Sequence, residues 1–566
     1  MLACGGTDRN PPAHPEARID AQNSFPPPGQ LPLPSRGNRS PSRWLGGNTN
    51  PLGAVGLIME GDDEGQSTAT GSVDGAADEA VGELTREEIQ AGIDRMRLHE
   101  EGARSTSQPS ARFANKAPDE DMTCASWRRR KKHVLAFSNA GKPIFSRYGD
   151  EQQLSTFMAA AQAILSFVGD KWGDRLSHMD APGLRAVFLE RGPLTFACVS
   201  RTGEPASMLR SQLEMLHSQF IAILTSGIDR AFARSANFDM RQLLGGTGPL
   251  LRSVIHGGAW HLPVVFDGVV PLAMPPQARK ALAQSLQASF VSDTLCSLVF
   301  TTDGKLLCLS ARKRFPLDAR DLYLFMNFCA MNRESFRQES FVPYCFQAYN
   351  PSAFCYAYVH VQDALVIAFV TARADSFHEC AQAKAFVARH LHAQRSGPSL
   401  PLALSLSGGD GASAAVGAGR LVQVTDLPMS AGGGALGTTP LWHYVYVGGA
   451  GGRGLRQIVA PEFGGALASA AARKHVLRLY RDARGKGRGE SVRWCRTPQV
   501  AVLACVTPEF SLFAALDALT DPDQAVRIAN ALVTWLQAKE DVLFSAPVQL
   551  KSSARVRASA RRALNE

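Results

Sequence analysis

The sequence contains no C-x-x-C pair. Its 11 cysteines stand singly, from Cys4 and Cys124 to Cys495 and Cys505, so neither a zinc site nor a disulfide framework is implied. Most lie in apolar runs such as Phe196-Ala197-Cys198-Val199, where cysteine acts as a small hydrophobe, and a reducing, cytosolic setting is expected. Also missing is any run near the ~18 uninterrupted apolar residues that a membrane-spanning helix needs. The opening residues have no apolar core of the kind a secretion signal carries. Membrane contact is therefore expected to be peripheral. There is no G-x-S-x-G, H-E-x-x-H or Walker motif, and acidic residues do not pair inside the expected strands. The expectation is an absence of catalytic residues, metal and cofactor.

Two weaker patterns are read conservatively. Gly449-Ala450-Gly451-Gly452-Arg453-Gly454 matches G-x-G-x-x-G formally. A dinucleotide loop opens a helix, whereas Leu455 to Pro461 reads as a strand, so a glycine-rich hairpin is expected. His390 and His392 are two apart on a helix and point to different faces, which favours capping of helix-end carbonyls over shared metal ligation.

What is present is a chain of 566 residues, 45% hydrophobic and 20% charged, with a net charge of +9. That length favours two to four domains. The charge suits nucleic acid or an anionic membrane equally, and solubility alone explains it. Residues 1–125 are rich in Pro, Gly, Ser and Asn, carry an acidic stretch around Asp62 and Asp63, and read as a disordered tail. Order begins at Trp127, just before the basic run Arg128, Arg129, Arg130, Lys131 and Lys132.

From there the pattern runs strand (His133 to Ser138), turn, strand (Ile144 to Tyr148) and a helix from Asp150. Leu154, Phe157, Met158, Ala161, Leu165 and Val168 form the apolar face of that helix. Strands Leu184 to Glu190 and Leu194 to Ser200 follow, then a helix opened by Pro205 with Leu209, Leu213, Leu216 and Phe220 on one stripe. The same order of elements recurs from Thr294 to His392 and from Leu441 to Lys539, the last copy with one extra strand. Three such units predict an antiparallel α+β fold. The boundaries read 126–230, 291–394 and 441–550 for the units and 231–290 for a connector. A Gly/Ser-rich flexible connector covers 395–440, and a basic tail covers 551–566.

The stretch from Trp127 to Gly149, with Val134-Leu135-Ala136-Phe137-Ser138 and Gly141-Lys142-Pro143-Ile144-Phe145, resembles the opening of the Mon-one (SAND) family. The resemblance continues through Asn237-Phe238-Asp239-Met240-Arg241, Phe346-Gln347-Ala348-Tyr349-Asn350-Pro351 and Ile458-Val459-Ala460-Pro461. It covers nearly all of 127–550, with Asn139 standing where the family often has glutamate.

The resemblance implies three longin-type domains. It implies a subunit of a heterodimeric guanine-nucleotide exchange factor for a late-endosomal or vacuolar Rab GTPase, paired with a Ccz-one-type longin subunit and acting without covalent chemistry. It further implies a cytoplasmic protein recruited peripherally to anionic, phosphoinositide-bearing late-endosomal, prevacuolar and vacuolar membranes, with no nucleic-acid partner. A longin scaffold for tethering or coats, lacking exchange activity, is the alternative. The partner and Rab surface is expected on Lys142, Pro143, Ile144, Arg147, Tyr148, Leu154 and Phe157. Membrane binding is expected on Arg128, Arg129, Arg130, Lys131 and Lys132.

Overall fold

The structure is a computed structural model that describes residues 56–59, 120–235, 238–289, 291, 293–395, 440–449, 455–484, 491–545 and 548–549. Within these residues the chain is α+β and builds three sheets, antiparallel except for two short parallel pairs.

The first sheet comprises β1 (Gly56–Met59), β2 (Lys132–Ser138), β3 (Pro143–Ser146), β4 (Leu176–Ala181), β5 (Leu184–Arg191) and β6 (Leu194–Ser200), in the order β1-β4-β5-β6-β2-β3. A short helix, α1 (Ala125–Arg129), precedes β2; α2 (Ser155–Trp172) and α3 (Ala206–Leu224) cover the two faces. Successive strand residues point to opposite faces. On β2, Leu135 and Phe137 therefore join Leu154, Met158, Leu165 and Val168 of the α2 side. Val134 and Ala136 join Leu209, Leu213, Leu216 and Phe220 of α3. Every residue of β2 is buried, as expected of a strand covered on both sides.

The second sheet holds β7 (Val270–Pro271), β8 (Thr294–Thr301), β9 (Lys305–Ala311), β10 (Ser340–Tyr344), β11 (Cys355–Gln362) and β12 (Leu365–Thr371). The helices around it are α4 (Gly248–Trp260), α5 (Pro276–Ala288), α6 (Ala319–Met331) and α7 (Phe377–Arg395). One face packs on α5 and α7 through Leu282, Leu286, Val387 and Leu391. The other face shares a single core with the first unit: α3, Phe300, Phe325 and Tyr344 belong to one continuous cluster.

The third sheet contains β13 (Leu441–Gly449), β14 (Arg456–Val459), β15 (Ser491–Arg496), β16 (Ala501–Val506) and β17 (Phe510–Leu516), in the order β14-β13-β17-β16-β15. It lies between α8 (Ala470–Arg484) and α9 (Pro522–Ala538). A last strand, β18 (Val548–Gln549), returns to the second sheet and runs parallel to β9.

Each unit thus follows the same plan, strand-strand-helix-strand-strand-strand-helix. The extra strand read in the third copy is the rule, and the first two copies have it as β4 and β10. Both are sheet-edge or near-edge strands whose sequences disguise them. Leu176-Ser177-His178-Met179-Asp180-Ala181 is half-exposed and polar, and β10 contains Pro343, which an edge position tolerates.

The connector is no spacer. Leu250, Leu251 and Ile255 of α4 sit in the core shared by the first two units. Val269 exchanges backbone hydrogen bonds with Arg456 and Ile458 at 2.9 and 2.8 Å, binding the connector to the third sheet. Arg279 of α5, buried, donates to the carbonyl oxygens of Leu272, Leu307 and Val542 at 2.9, 3.2 and 2.9 Å. The tail reading is corrected at two places: Gly56–Met59 forms a strand antiparallel to β4, and residues 120–125 are ordered, with Glu120 buried and Ala125 opening α1. The rest of the expected tail up to 119, the Gly/Ser-rich connector beyond 395 up to 439, and residues 551–566 lie outside the described residues. Residues 450–454 of the glycine-rich motif lie outside them too, but β13 and β14 pair in register with Gly449 opposite Arg456, the geometry of a hairpin. His390 meets the Phe386 carbonyl one turn back through Nδ1, 2.9 Å away.

Candidate functional site: the outer face of the first unit

The β2–β3 turn sets the site. Gly141 adopts φ +75°, and an added Cβ there falls 2.9 Å from the Ala159 Cα, so the tight approach of turn to α2 requires glycine. Asn139 Nδ2 donates to the Gly192 carbonyl at 3.0 Å, and its Oδ1 accepts from Thr195 Oγ1 at 3.2 Å, which ties the turn to its neighbour between β5 and β6. The turn delivers Lys142, exposed, and Pro143 to the rim of a cleft of about 220 Å³ floored by Ile144 and Met240. The far wall is the connector segment Phe238 to Arg241. Arg241 grips Asp239 with Nε on Oδ1 at 3.1 Å and Nη2 on Oδ2 at 3.0 Å. That fork holds the Asp239 carboxyl below its ordinary range. Strand β3, beside the cleft, is the last strand of its sheet.

After β3, Tyr148 holds two guanidinium groups over its ring, Arg130 at 4.7 Å and Arg147 at 5.0 Å from the centroid, an attraction between cation and ring face. Trp127 Nε1 donates to the Tyr148 carbonyl at 3.2 Å and its ring lies against His133, tilted by 32° with centroids 3.8 Å apart. Burial drives the His133 imidazole down to about 4, so it is neutral at physiological pH.

The sequence-predicted residues divide. Lys142, Pro143, Arg147 and Tyr148 reach the surface or its edge, and Ile144 forms the cleft floor while being part of the core. Leu154 is fully buried and belongs to the interior; as the residue capping α2 it points into the sheet and presents nothing outward. Phe157 is half-buried edge-on to Trp127, centroids 6.2 Å apart. Of the basic run, Arg128, Arg129, Arg130 and Lys131 are exposed. Lys132 is not part of that surface. Strand alternation turns it inward, where Nζ pairs with the Glu204 carboxylate and donates to Gln212 Oε1 at 2.9 Å. Burial pulls the Lys132 ammonium down, opposed by Glu204. Burial likewise pushes Glu204 up, but Lys132, Thr202 and Gln212 outweigh it and leave the carboxyl below its ordinary value.

Sequence reasoning missed the outward side of α2. Ile164, Phe167 and Trp172 are 47%, 58% and 52% exposed; Phe167 lies away from the buried stripe, while Ile164 flanks it and Trp172 ends the helix beyond it. The Phe167 and Trp172 rings meet edge to face at 5.8 Å. Apolar residues at both faces of one helix were the available signal, since a solvated surface helix keeps its outer face polar. Large exposed apolar groups in company mark contact surfaces.

Residues 132–254 match the model of the first longin domain of FUZ, MON1 and HPS1, and residues 294–389 match the second longin domain of the same proteins. The chain is 35% identical over 440 residues to the vacuolar fusion protein MON1 homolog of Arabidopsis thaliana, an alignment covering 75% of this chain and 71% of that protein. The chain belongs to the MON1 family of vacuolar fusion proteins. The MON1 homolog of Oryza sativa subsp. japonica is 34% identical, with 75% and 76% covered. MON1 homolog B of Homo sapiens is 29% identical, with 77% and 82% covered. The first longin match of this MON1-family chain runs past α3 into α4, which agrees with a connector built into the core. Among the described residues no helix is long and apolar enough to cross a membrane.

Proposed function

We propose that this MON1-family chain is one subunit of a heterodimeric guanine-nucleotide exchange factor for a late-endosomal or vacuolar Rab GTPase, serving endosome maturation and fusion with the vacuole or lysosome. The observation that carries the reading is the outer face of the first longin domain. Exposed Ile164, Phe167 and Trp172 lie on the same α2 whose first turn, with Lys142, Pro143 and the edge strand β3, borders the cleft. An apolar helix face accepts a second helix, and a cleft at a domain rim accepts an extended segment. Together they suit a Ccz-one-type longin subunit and a GTPase switch segment. Exchange of this kind needs no acid, base or nucleophile: the complex binds the nucleotide-free GTPase more tightly than the loaded one and so shifts the equilibrium towards release.

Membrane recruitment is assigned to Arg128, Arg129, Arg130 and Lys131. Each cation near an anionic surface contributes about 1 kcal/mol, so four give roughly 4 kcal/mol, sufficient to assist peripheral binding to phosphoinositide-bearing endosomal and vacuolar membranes from the cytoplasm.

The test is release of a fluorescent nucleotide from a late-endosomal Rab on anionic liposomes. Acceleration by this chain together with its longin partner supports the reading. Binding of the GTPase without acceleration, indifferent to its nucleotide state, replaces it with a tethering scaffold.

A further inference from the structure

Where the first unit meets α8 of the third, one carboxylate faces more cations than it pairs. Glu204 ends the loop between β6 and α3 and is 1% exposed. Its backbone carbonyl accepts from Arg185 Nη1 at 2.9 Å. Its Oε2 receives Lys132 Nζ and Thr202 Oγ1, the latter at 2.5 Å. Its other oxygen, Oε1, is buried and has no hydrogen-bond partner among the described residues. From the opposite side α8 extends Arg478, whose Nη2 donates to the Thr202 carbonyl at 2.8 Å. Arg478 Nε and, one turn on, Arg481 Nη1 are both buried without an acceptor among the described residues. Burial pulls the Arg481 guanidinium down, and Glu204 leads the charges that oppose this.

A buried donor or acceptor left unpaired is destabilising, and native structures keep few of them. Here an unpaired acceptor and two unpaired guanidinium donors occupy the same seam, with the unpaired Gln212 Nε2 on the first-unit side. We propose that Glu204 is one half of a charge latch between the first and third units, poised to close on Arg478 or Arg481 of α8. The latch has a reach in both directions. Lys132, its fixed partner, is the residue that follows the exposed run Arg128 to Lys131. On the other side, α8 carries Arg473 and Lys474 outward, and Lys474 Nζ lies 4.9 Å from the Trp260 ring.

Hydrogen–deuterium exchange on the full chain tests this, comparing the parent with Glu204→Gln, Arg481→Met and the double variant. Glu204→Gln is expected to raise uptake across α8 severalfold although the substitution lies in another unit. Arg481→Met is expected to raise uptake in residues 200–205, and the double variant to exceed neither single one. Unchanged uptake in α8, or effects that sum, overturns the latch. If Glu204→Gln does not fold, Arg481→Met is compared with Arg484→Met, because Arg484 Nη1 instead donates to the Val265 carbonyl at 2.9 Å. The latch predicts loosening of 200–205 by the first substitution and none by the second; equal effects dismiss it.

Discussion

Phe167 and Trp172 meet edge to face on the solvent side of α2, ring centroids 5.8 Å apart, and neither is needed by the core beneath. The helix already buries Met158, Leu165 and Val168 on its inner face. Replacing Phe167 by Asp is expected to leave the thermal midpoint of the isolated chain within a degree or two, since exposed substitutions usually change stability by less than about 0.5 kcal/mol. Partner affinity is expected to fall by at least ~2 kcal/mol, roughly 30-fold, as for an aromatic anchor at an interface centre. Binding of the longin partner measured by calorimetry decides it, and unchanged affinity would remove α2 from the interface.

Neighbouring lysines in the basic run are expected to behave oppositely. Lys131→Met weakens binding to anionic vesicles and leaves folding intact. Lys132→Met leaves vesicle binding nearly unchanged per folded molecule but strands the Glu204 carboxylate in the interior, at a cost of about 3–5 kcal/mol. Vesicle co-sedimentation beside urea unfolding separates the two, and the assignment fails if Lys131 proves the destabilising site.

Gly149 admits no side chain. Its φ is +78°, and an added Cβ lies 2.4 Å from the Glu120 carbonyl oxygen. Gly149→Ala is therefore expected to destabilise by about 1–3 kcal/mol, and to loosen Tyr148 and the guanidinium groups stacked on it. A urea midpoint equal to that of the parent protein would show that the segment before β2 yields freely.

Asp321 gives stability a pH dependence. Burial pushes its carboxyl from 3.8 up to about 6, against the Ala348 amide, from which Oδ2 accepts at 2.9 Å. The folded chain thus holds this proton more tightly than the unfolded one. The stabilisation is complete below the unfolded value and is lost as pH rises through the folded value. Asp321→Asn is expected to flatten the fall in stability between pH 3.8 and about 6 and to raise stability at pH 7 by on the order of 2 kcal/mol. Unfolding midpoints across that range that track the parent protein would contradict it.

Much of this fold is legible in the sequence because its central strands are covered on both sides and read as near-continuous apolar runs. β2, β8, β12 and β16 are of this kind, and the stripes of α2 and α3 point at β2. β4 and β10 were not legible. They lie at or near the rim of their sheets, where burial no longer dictates the residue type, and Pro343 argues for a loop until its edge position is known. Sequence reading placed Lys142 and Pro143 at the surface, where turn chemistry fixes the chain. It failed at Lys132 and Leu154, because adjacency along the chain says nothing of direction. Lys131 and Lys132 are consecutive in a run of cations, yet alternation sends one to water and the other to Glu204. The exposed face of α2 went unread because the periodicity was followed only to its core stripe.

One consequence reaches past any single residue. Helix α3 serves two sheets at once: Leu213 and Phe220 belong to the same cluster as Phe300 and Tyr344, the Ser218 carbonyl accepts from Gln347 Nε2 at 2.7 Å, and the Ala222 carbonyl accepts from the Cys345 amide at 3.0 Å. The repeat seen in the order of elements is therefore not the unit in which the chain folds. A fragment cut after the first repeat would lay bare an apolar flank of α3 and clump, whereas one spanning 120–395 keeps both that flank and the Trp127 side of the first sheet covered.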